Sequence, residues 1–283
     1  MNTVESITSP TNPRVKRAAA LRDADDRRST GLTLVDGRRE LARAEAAAAP
    51  IVELFVAQAA ADRPGNAATE PTLAAWIERL AAGGTRIAAL APRAFEKVAF
   101  GGRNEGVVGV VRFGPRPLDA VAFPAERPVV VVEGVEKPGN LGAIVRTVDA
   151  AGLGGVVVCD GRTDVANPAA IRASLGTIFS VPIAVTTTAE AIAWCGSSGR
   201  RVVAATPGAD RHWHAADLRG GVAILLGSEA HGIGSAWTRA AASGGLQLET
   251  VSLPMHGLAD SLNLSVTAAV LAYESVRQRE AGR

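Results

Sequence analysis

The feature that most constrains this chain is a set of short, unbroken aliphatic runs separated by stretches of helical periodicity. Residues 129–135 read VVVVEGV, and comparable runs recur at 155–159, 201–205 and 222–226. A continuous β-branched run without polar alternation suits a strand covered on both faces, as in a parallel sheet flanked by helices. Helical segments lie between the runs, at 140–151, 167–175 and 188–195. The pattern predicts a doubly wound α/β domain, whose ligands are expected beyond the carboxyl ends of the strands.

Upstream the alternation continues on a smaller scale. Strands are predicted at 32–35, 51–56, 86–90 and 107–113, and helices at 37–48, 72–80 and 92–98. Asp36 stands where it would cap the first of these helices. Residues 114–128, GPRPLDAVAFPAERP, then break the pattern, and their prolines suit a linker. The expected organisation is a smaller α/β domain over 1–113, a linker over 114–128 and the doubly wound domain over 129–283.

Composition narrows the class. At 47% hydrophobic residues and a net charge of +2, the chain is too apolar and too nearly neutral to be disordered. No run approaches about 18 uninterrupted apolar residues, so no membrane span is expected. The first residues lack the apolar core of a signal peptide, and a soluble cytoplasmic protein is the expectation. Cys159 and Cys195 are too few for a disulfide framework or a four-ligand zinc site. His212 and His214 flank Trp213, but no third ligand stands at a recognised spacing, so no metal is expected. A balance so close to zero confines any nucleic-acid surface to a local patch. The cluster Arg14, Lys16, Arg17 and Arg22 is the first candidate for such a patch, and Arg103 in the GGRNEG loop is a second.

Three segments follow strand ends and carry chemistry. In EKPGNLGAIVRTVDAAG (136–152), Asn140 is placed as a helix N-cap, Gly142 permits close backbone approach and Gly152 ends the helix. Arg146 projects from that helix, and a helix start beside a guanidinium is a seat for phosphate. In LLGSEAHGIG (225–234) a buried strand runs into Gly227, followed by Glu229 and two further glycines. In LPMHGLADSLNLSVTAAVLAYE (253–274), Asp260 or Ser261 is positioned to cap a helix whose start displays Asn263 and Ser265. Taken singly, each segment reads equally well as an ordinary turn or a capped core helix.

Jointly they are far more specific. NxGxxxRxxxxxG, GSExxG and LPMxGxxxSLNxS, in this order, resemble the three signature motifs of the SpoU/TrmH branch of the SPOUT methyltransferases. The segment RASLGTIFSVPI (172–183) is similar to the family's region between its first and second motifs. The likeness covers about residues 129–275, while residues 1–113 more loosely resemble the RNA-binding domain that often precedes this catalytic domain. His231 and Leu253 are mild departures from the family pattern.

The resemblance implies a C-terminal domain threaded into a trefoil knot, an exception to the usual absence of knots. It implies S-adenosylmethionine as cofactor, held around Thr206, Gly208, Leu226, Gly227, Leu253, Met255 and Leu262. It also implies a homodimer whose active sites are completed across the interface. Asn140, Arg146, Glu229, Ser261 and Asn263 match the family's catalytic positions. A guanidinium keeps its proton, so Arg146 is expected to clamp a phosphate while a neighbouring group assists removal of the hydroxyl proton. Asn140, Ser261 and Asn263 are expected to orient Arg146 and the ribose, and Glu229 to anchor its loop.

The implied activity is 2′-O-methylation of a ribose in RNA. The N-terminal domain points to 23S ribosomal RNA, with ribosome protection against an antibiotic as a variant. A transfer-RNA ribose methyltransferase is the alternative. A nucleotide-cofactor oxidoreductase stays open in principle, although no G-x-G-x-x-G follows the strand at 129–132. A catalytically silent RNA-binding protein is the third reading, opposed by the intact motif residues.

Overall fold

A computed structural model describes residues 5–58, 72–100, 105–228 and 231–281. In chain order the first elements are β1 (Glu5–Ile7), α1 (Pro13–Ala20), α2 (Ala24–Thr30), β2 (Leu32–Asp36), α3 (Arg38–Ala46) and β3 (Ile51–Ala57). Next come α4 (Leu73–Ala82), β4 (Arg86–Leu90), α5 (Pro92–Val98), β5 (Val107–Arg112), β6 (Val129–Glu133), α6 (Pro138–Ala150) and β7 (Gly155–Cys159). The remainder are α7 (Pro168–Ala173), β8 (Ile183–Thr186), α8 (Thr188–Ser197), β9 (Arg201–Ala205), β10 (Val222–Leu226), α9 (Ser235–Ala242), β11 (Leu248–Val251) and α10 (Leu264–Ala281). They form two compact units, Met1–Gly114 with Ala166–Ser180, and Pro115–Val165 with Val181–Arg283.

The first unit is a five-stranded mixed sheet in the order β1-β4-β3-β5-β2. β5 runs antiparallel to both its neighbours, and β1, β4 and β3 run parallel. Leu34, Phe55, Leu90 and Phe95 fill a fully buried core on this sheet. Gly109 lets α3 lie close, because a Cβ there would stand 2.3 Å from Leu41 Cδ2. Asp36 does not cap α3. It is the buried last residue of β2 and accepts the Phe100 N–H at 2.8 Å, and Gly37 takes the cap position. With Gly37 at the cap position, α3 starts without a side-chain cap bond.

Residues 166–180, which the sequence places between two strands of the second sheet, pack within the first unit. Thr33 donates its hydroxyl to the Ala166 carbonyl, and the Arg43 guanidinium donates to the Leu175 carbonyl at 2.9 Å. Arg172 donates to the Phe100 carbonyl at 2.8 Å, and Phe113 meets Phe179 edge-on at 4.8 Å.

The second unit is a six-stranded, wholly parallel sheet in the order β11-β9-β10-β6-β7-β8. Val129–Val132 pair with β10 on one side and β7 on the other, so the most continuous aliphatic run is central and completely buried. Residues 115–128 lie along this unit. The Val185 N–H donates to the Arg116 carbonyl, and Phe123 packs 5.3 Å from Trp194. Arg200, itself buried, donates to the carbonyls of Pro124 and Arg127 with its guanidinium over the Trp194 ring. No helix among the described residues is long and apolar enough to cross a membrane.

Candidate active site

Beyond the carboxyl ends of β9, β10 and β6 the second unit encloses a cavity of about 610 Å³. Its wall begins where β10 passes from fully buried aliphatic residues into Gly227. The loop there folds back on itself, with Ser228 and Gly232 exchanging two backbone hydrogen bonds of 3.0 Å. A Cβ on Gly227 would stand 2.2 Å from the carbonyl carbon and oxygen of Gly232, so no other residue fits. Thr206, held by its N–H to the Val251 carbonyl at 2.9 Å, lines the cavity from the end of β9. Leu226, Leu253, Met255 and Leu262 line it, together with Ala205, Pro207 and Leu264. Gly208, expected beside them, forms a turn at φ +76° and is not part of the lining.

Polar groups converge at the same place. Asn263 lines the cavity and donates its amide nitrogen to the Asn140 side-chain oxygen at 3.1 Å. The Asn263 oxygen accepts the Ser265 N–H at 2.9 Å and the Ser265 hydroxyl at 2.7 Å. Those two bonds fix which end of the amide is oxygen, leaving the nitrogen for Asn140. Asn263 therefore caps α10, and the caps expected from Asp260 or Ser261 are not made: both residues lie in the loop that lines the cavity. Asn140 is likewise not an N-cap. α6 begins at Pro138 with Lys137 at the cap position, and Asn140 is buried within its first turn.

Arg146 lies elsewhere. Six residues beyond Asn140 at about 100° per residue is well away from the same helix face. Ile144, Val145 and Val148 take the buried face, and Arg146 is exposed and does not line the cavity of its own chain. Glu229 and Arg103 lie outside the described residues. In the first unit, Arg14 is turned onto the carboxylates of Glu5 and Glu53. Lys16, Arg17 and Arg22 are exposed, with the Arg22 guanidinium donating to the Ala99 carbonyl at 2.6 Å.

Lys137 and Thr267, which no motif position singles out, also line the cavity, as do Ser228 of the second motif and Asp260 of the third. Lys137 carried a weak signal, as the residue before the Pro-Gly-Asn turn; Thr267 carried none. Cys159 and Cys195 are fully buried, and burial pushes the Cys195 thiol up to about 12 and raises that of Cys159 as well, which makes both poor nucleophiles. The His212 and His214 rings stack 5.8 Å apart, and among the described residues no cluster of three His, Cys, Asp or Glu is placed to share a metal ion.

Comparison with known proteins agrees with this geometry. Residues 127–273 match the SpoU rRNA Methylase family, and residues 12–109 match the MRM3-like substrate binding domain. A 23S rRNA (uridine(2479)-2′-O)-methyltransferase of Streptomyces viridochromogenes is 34% identical over 195 residues, spanning 65% of this chain and 65% of that protein. The 23S rRNA (guanosine-2′-O-)-methyltransferase RlmB of Bordetella pertussis is 32% identical over 210 residues, 72% of this chain and 83% of its own. The crystal structure of the SpoU methyltransferase AviRb from Streptomyces viridochromogenes in complex with the cofactor AdoMet superposes with a TM-score of 0.79 at 28% identity, covering 96% of this chain and 100% of that one. The fold, the convergent motif loops and the family match over more than half the sequence place the chain in the SpoU rRNA methylase family, the RNA 2′-O-methyltransferases that use S-adenosylmethionine.

Proposed function

We propose that this protein transfers the methyl group of S-adenosylmethionine to the 2′-oxygen of a ribose in 23S ribosomal RNA. The observation that carries the reading is the Asn263–Asn140 hydrogen bond at the cavity wall. It joins the first and third motifs beside a cavity that the second motif's Gly227 also lines. Relatives that act on 23S ribosomal RNA, and the match of residues 12–109 to a substrate-binding domain, support the choice of RNA.

The residues present fit the methyl donor. A cavity of about 610 Å³ is within the usual size of a small-molecule site. Leu226, Leu253, Met255 and Leu262 offer aliphatic surface to a purine, and side-chain-free Gly227 leaves backbone along the wall. When bound, S-adenosylmethionine supplies a methyl group already activated on a sulfonium sulfur. The work left to the chain is positioning and proton management. Ser261 and Asn263 orient the ribose, with Asn140 holding the Asn263 amide in place. Arg146 grips the neighbouring phosphate, and a nearby group receives the hydroxyl proton. Glu229 anchors its loop.

An exposed Arg146 acts in this scheme by reaching the cavity of a second copy. α10, which packs on α6, carries Val266 and Tyr273 about half exposed, an apolar strip suited to a homodimer. Lys16, Arg17 and Arg22 contribute RNA contacts from the substrate-binding domain, and the enzyme works in the cytoplasm beside its ribosomal substrate. Purified protein, tritiated S-adenosylmethionine and 23S ribosomal RNA, naked or in ribosomal particles, test the reading. Stoichiometric label at one nucleotide, located by a primer-extension stop, is expected. Absence of label from every form of 23S RNA, alongside label in transfer RNA, would replace it with the transfer-RNA alternative.

A further inference from the structure

We infer that Glu133 is a positioning residue for the cavity, holding the loop after β10 in the shape that lines it; this rests on the cavity being the methyl-donor site. β6 lies beside β10, and Glu133 stands one residue past the last pair, Val132 with Leu226. The loop leaves β10 at Gly227, turns through the Ser228–Gly232 pair and returns at Gly234, the residue before α9. There the Gly234 N–H donates to Glu133 Oε2 at 2.7 Å. The other carboxylate oxygen accepts the Thr188 hydroxyl, at the first residue of α8, at 3.0 Å. One carboxylate thus ties the returning end of the loop to both the sheet and α8.

The fit around it is close. The Gly234 N–H is one of the amides at the start of α9 that have no acceptor within the helix, so it depends on an outside one, and a negative group is favoured at a helix start. A Cβ on Gly234 would lie 2.7 Å from Glu133 Oε1. The residue after Glu133, Gly134 at φ +65°, lies close to the outgoing part of the loop: a Cβ there would stand 3.3 Å from Ser228 Cβ. Gly227, Ser228 and Gly232, all in the cavity wall, lie in the stretch that the Gly234–Glu133 bond closes. Within the loop, the His231 N–H donates to the Ser228 hydroxyl at 3.0 Å.

Binding of S-adenosylmethionine, measured by calorimetry well below the unfolding temperature, tests this. Loss of a charge-assisted bond predicts that Glu133→Ala weakens the donor's Kd about tenfold. KM for the donor rises in parallel, while kcat at saturating donor stays close to wild type. Glu133→Gln retains a carbonyl for Gly234, its amide can donate to the Thr188 hydroxyl, and it restores most of the affinity, short of the part due to charge. Thr188→Val cuts only the α8 arm and leaves Kd unchanged. A purely structural Glu133 would lower Tm without moving Kd. Wild-type affinity in Glu133→Ala, or equal weakening in Thr188→Val, would overturn the inference. Should the alanine variant not fold, Glu133→Asp, too short to span both partners, takes its place with the same expected and overturning results. Failure of the wild-type protein to bind the donor would instead indict the reading of the cavity.

Discussion

The amide of Asn263 faces two ways, its oxygen capping α10 through Ser265 and its nitrogen donating to Asn140 at 3.1 Å. The two duties can be separated. Serine caps a helix about as well as asparagine but is too short to reach Asn140. Asn263→Ser is expected to leave Tm nearly unchanged and to cut turnover roughly a hundredfold, the scale of a misplaced catalytic group. Asn263→Ala loses the cap as well, costing about 1 kcal/mol of stability. Thermal melting beside a methyl-incorporation assay distinguishes the two. For the exposed Arg146, Arg146→Ala is expected to reduce methyl transfer to background while donor affinity shifts by less than about twofold, as a surface change should. Calorimetry and tritium incorporation on one preparation check both halves, and wild-type turnover would reject the phosphate clamp.

Among the elements, the loop after β10 is the least tolerant of change. A methyl group on Gly227 would collide with the Gly232 backbone at 2.2 Å, and backbone cannot swing aside as a side chain can. Gly227→Ala should cost about 1–3 kcal/mol in this close-packed turn and weaken the donor roughly tenfold or more, read by calorimetry. At the end of β2, burial lifts the Asp36 carboxyl from 3.8 to about 6, outweighing the Phe100 N–H and Arg172 that oppose it. The native state therefore holds this proton more tightly than the unfolded chain. Its contribution to stability is complete below about pH 4 and is lost as pH rises through about 6. Asp36→Asn keeps an acceptor for Phe100 without the buried charge. It should raise stability near pH 8 by as much as about 3 kcal/mol and change little near pH 4, measured by denaturant titration at both. The strands themselves were largely legible. β7, β9 and β10 coincide with the aliphatic runs, because strands buried on both faces show no polar alternation. β1, β8 and β11 carry no such run; all three are short and lie at sheet edges, where the apolar signal is diluted.

For the molecule as a whole, the cavity is lined by loops of the second unit, whereas Arg146 is exposed on α6. In the proposed homodimer, donor binding and methyl transfer become separable. Tyr273→Glu, at a half-exposed position on α10, should yield monomers in sedimentation that still bind S-adenosylmethionine and transfer no methyl group. A monomer with full activity would refute the shared site. RNA affinity should fall with salt as phosphate neutralisation releases counterions, and replacing exposed Lys16 and Arg17 with glutamate should flatten that dependence by up to about two contacts.

From the sequence alone came the central parallel strands, the glycine turns at their ends and the three motifs that point to methyl transfer, because burial on two faces and tight turns each leave a local pattern. Tertiary structure decided which residues meet. Asn140 and Asn263 touch across 123 positions, Asp36 turns to Phe100 instead of capping α3, and residues 166–180 belong to the first unit although they connect strands of the second. Arg146 and Asn140 share one short motif yet point to different sides of one helix. Periodicity records what each stretch prefers to bury, but contact between distant stretches depends on how the sheet orders its strands and where each loop is then obliged to return.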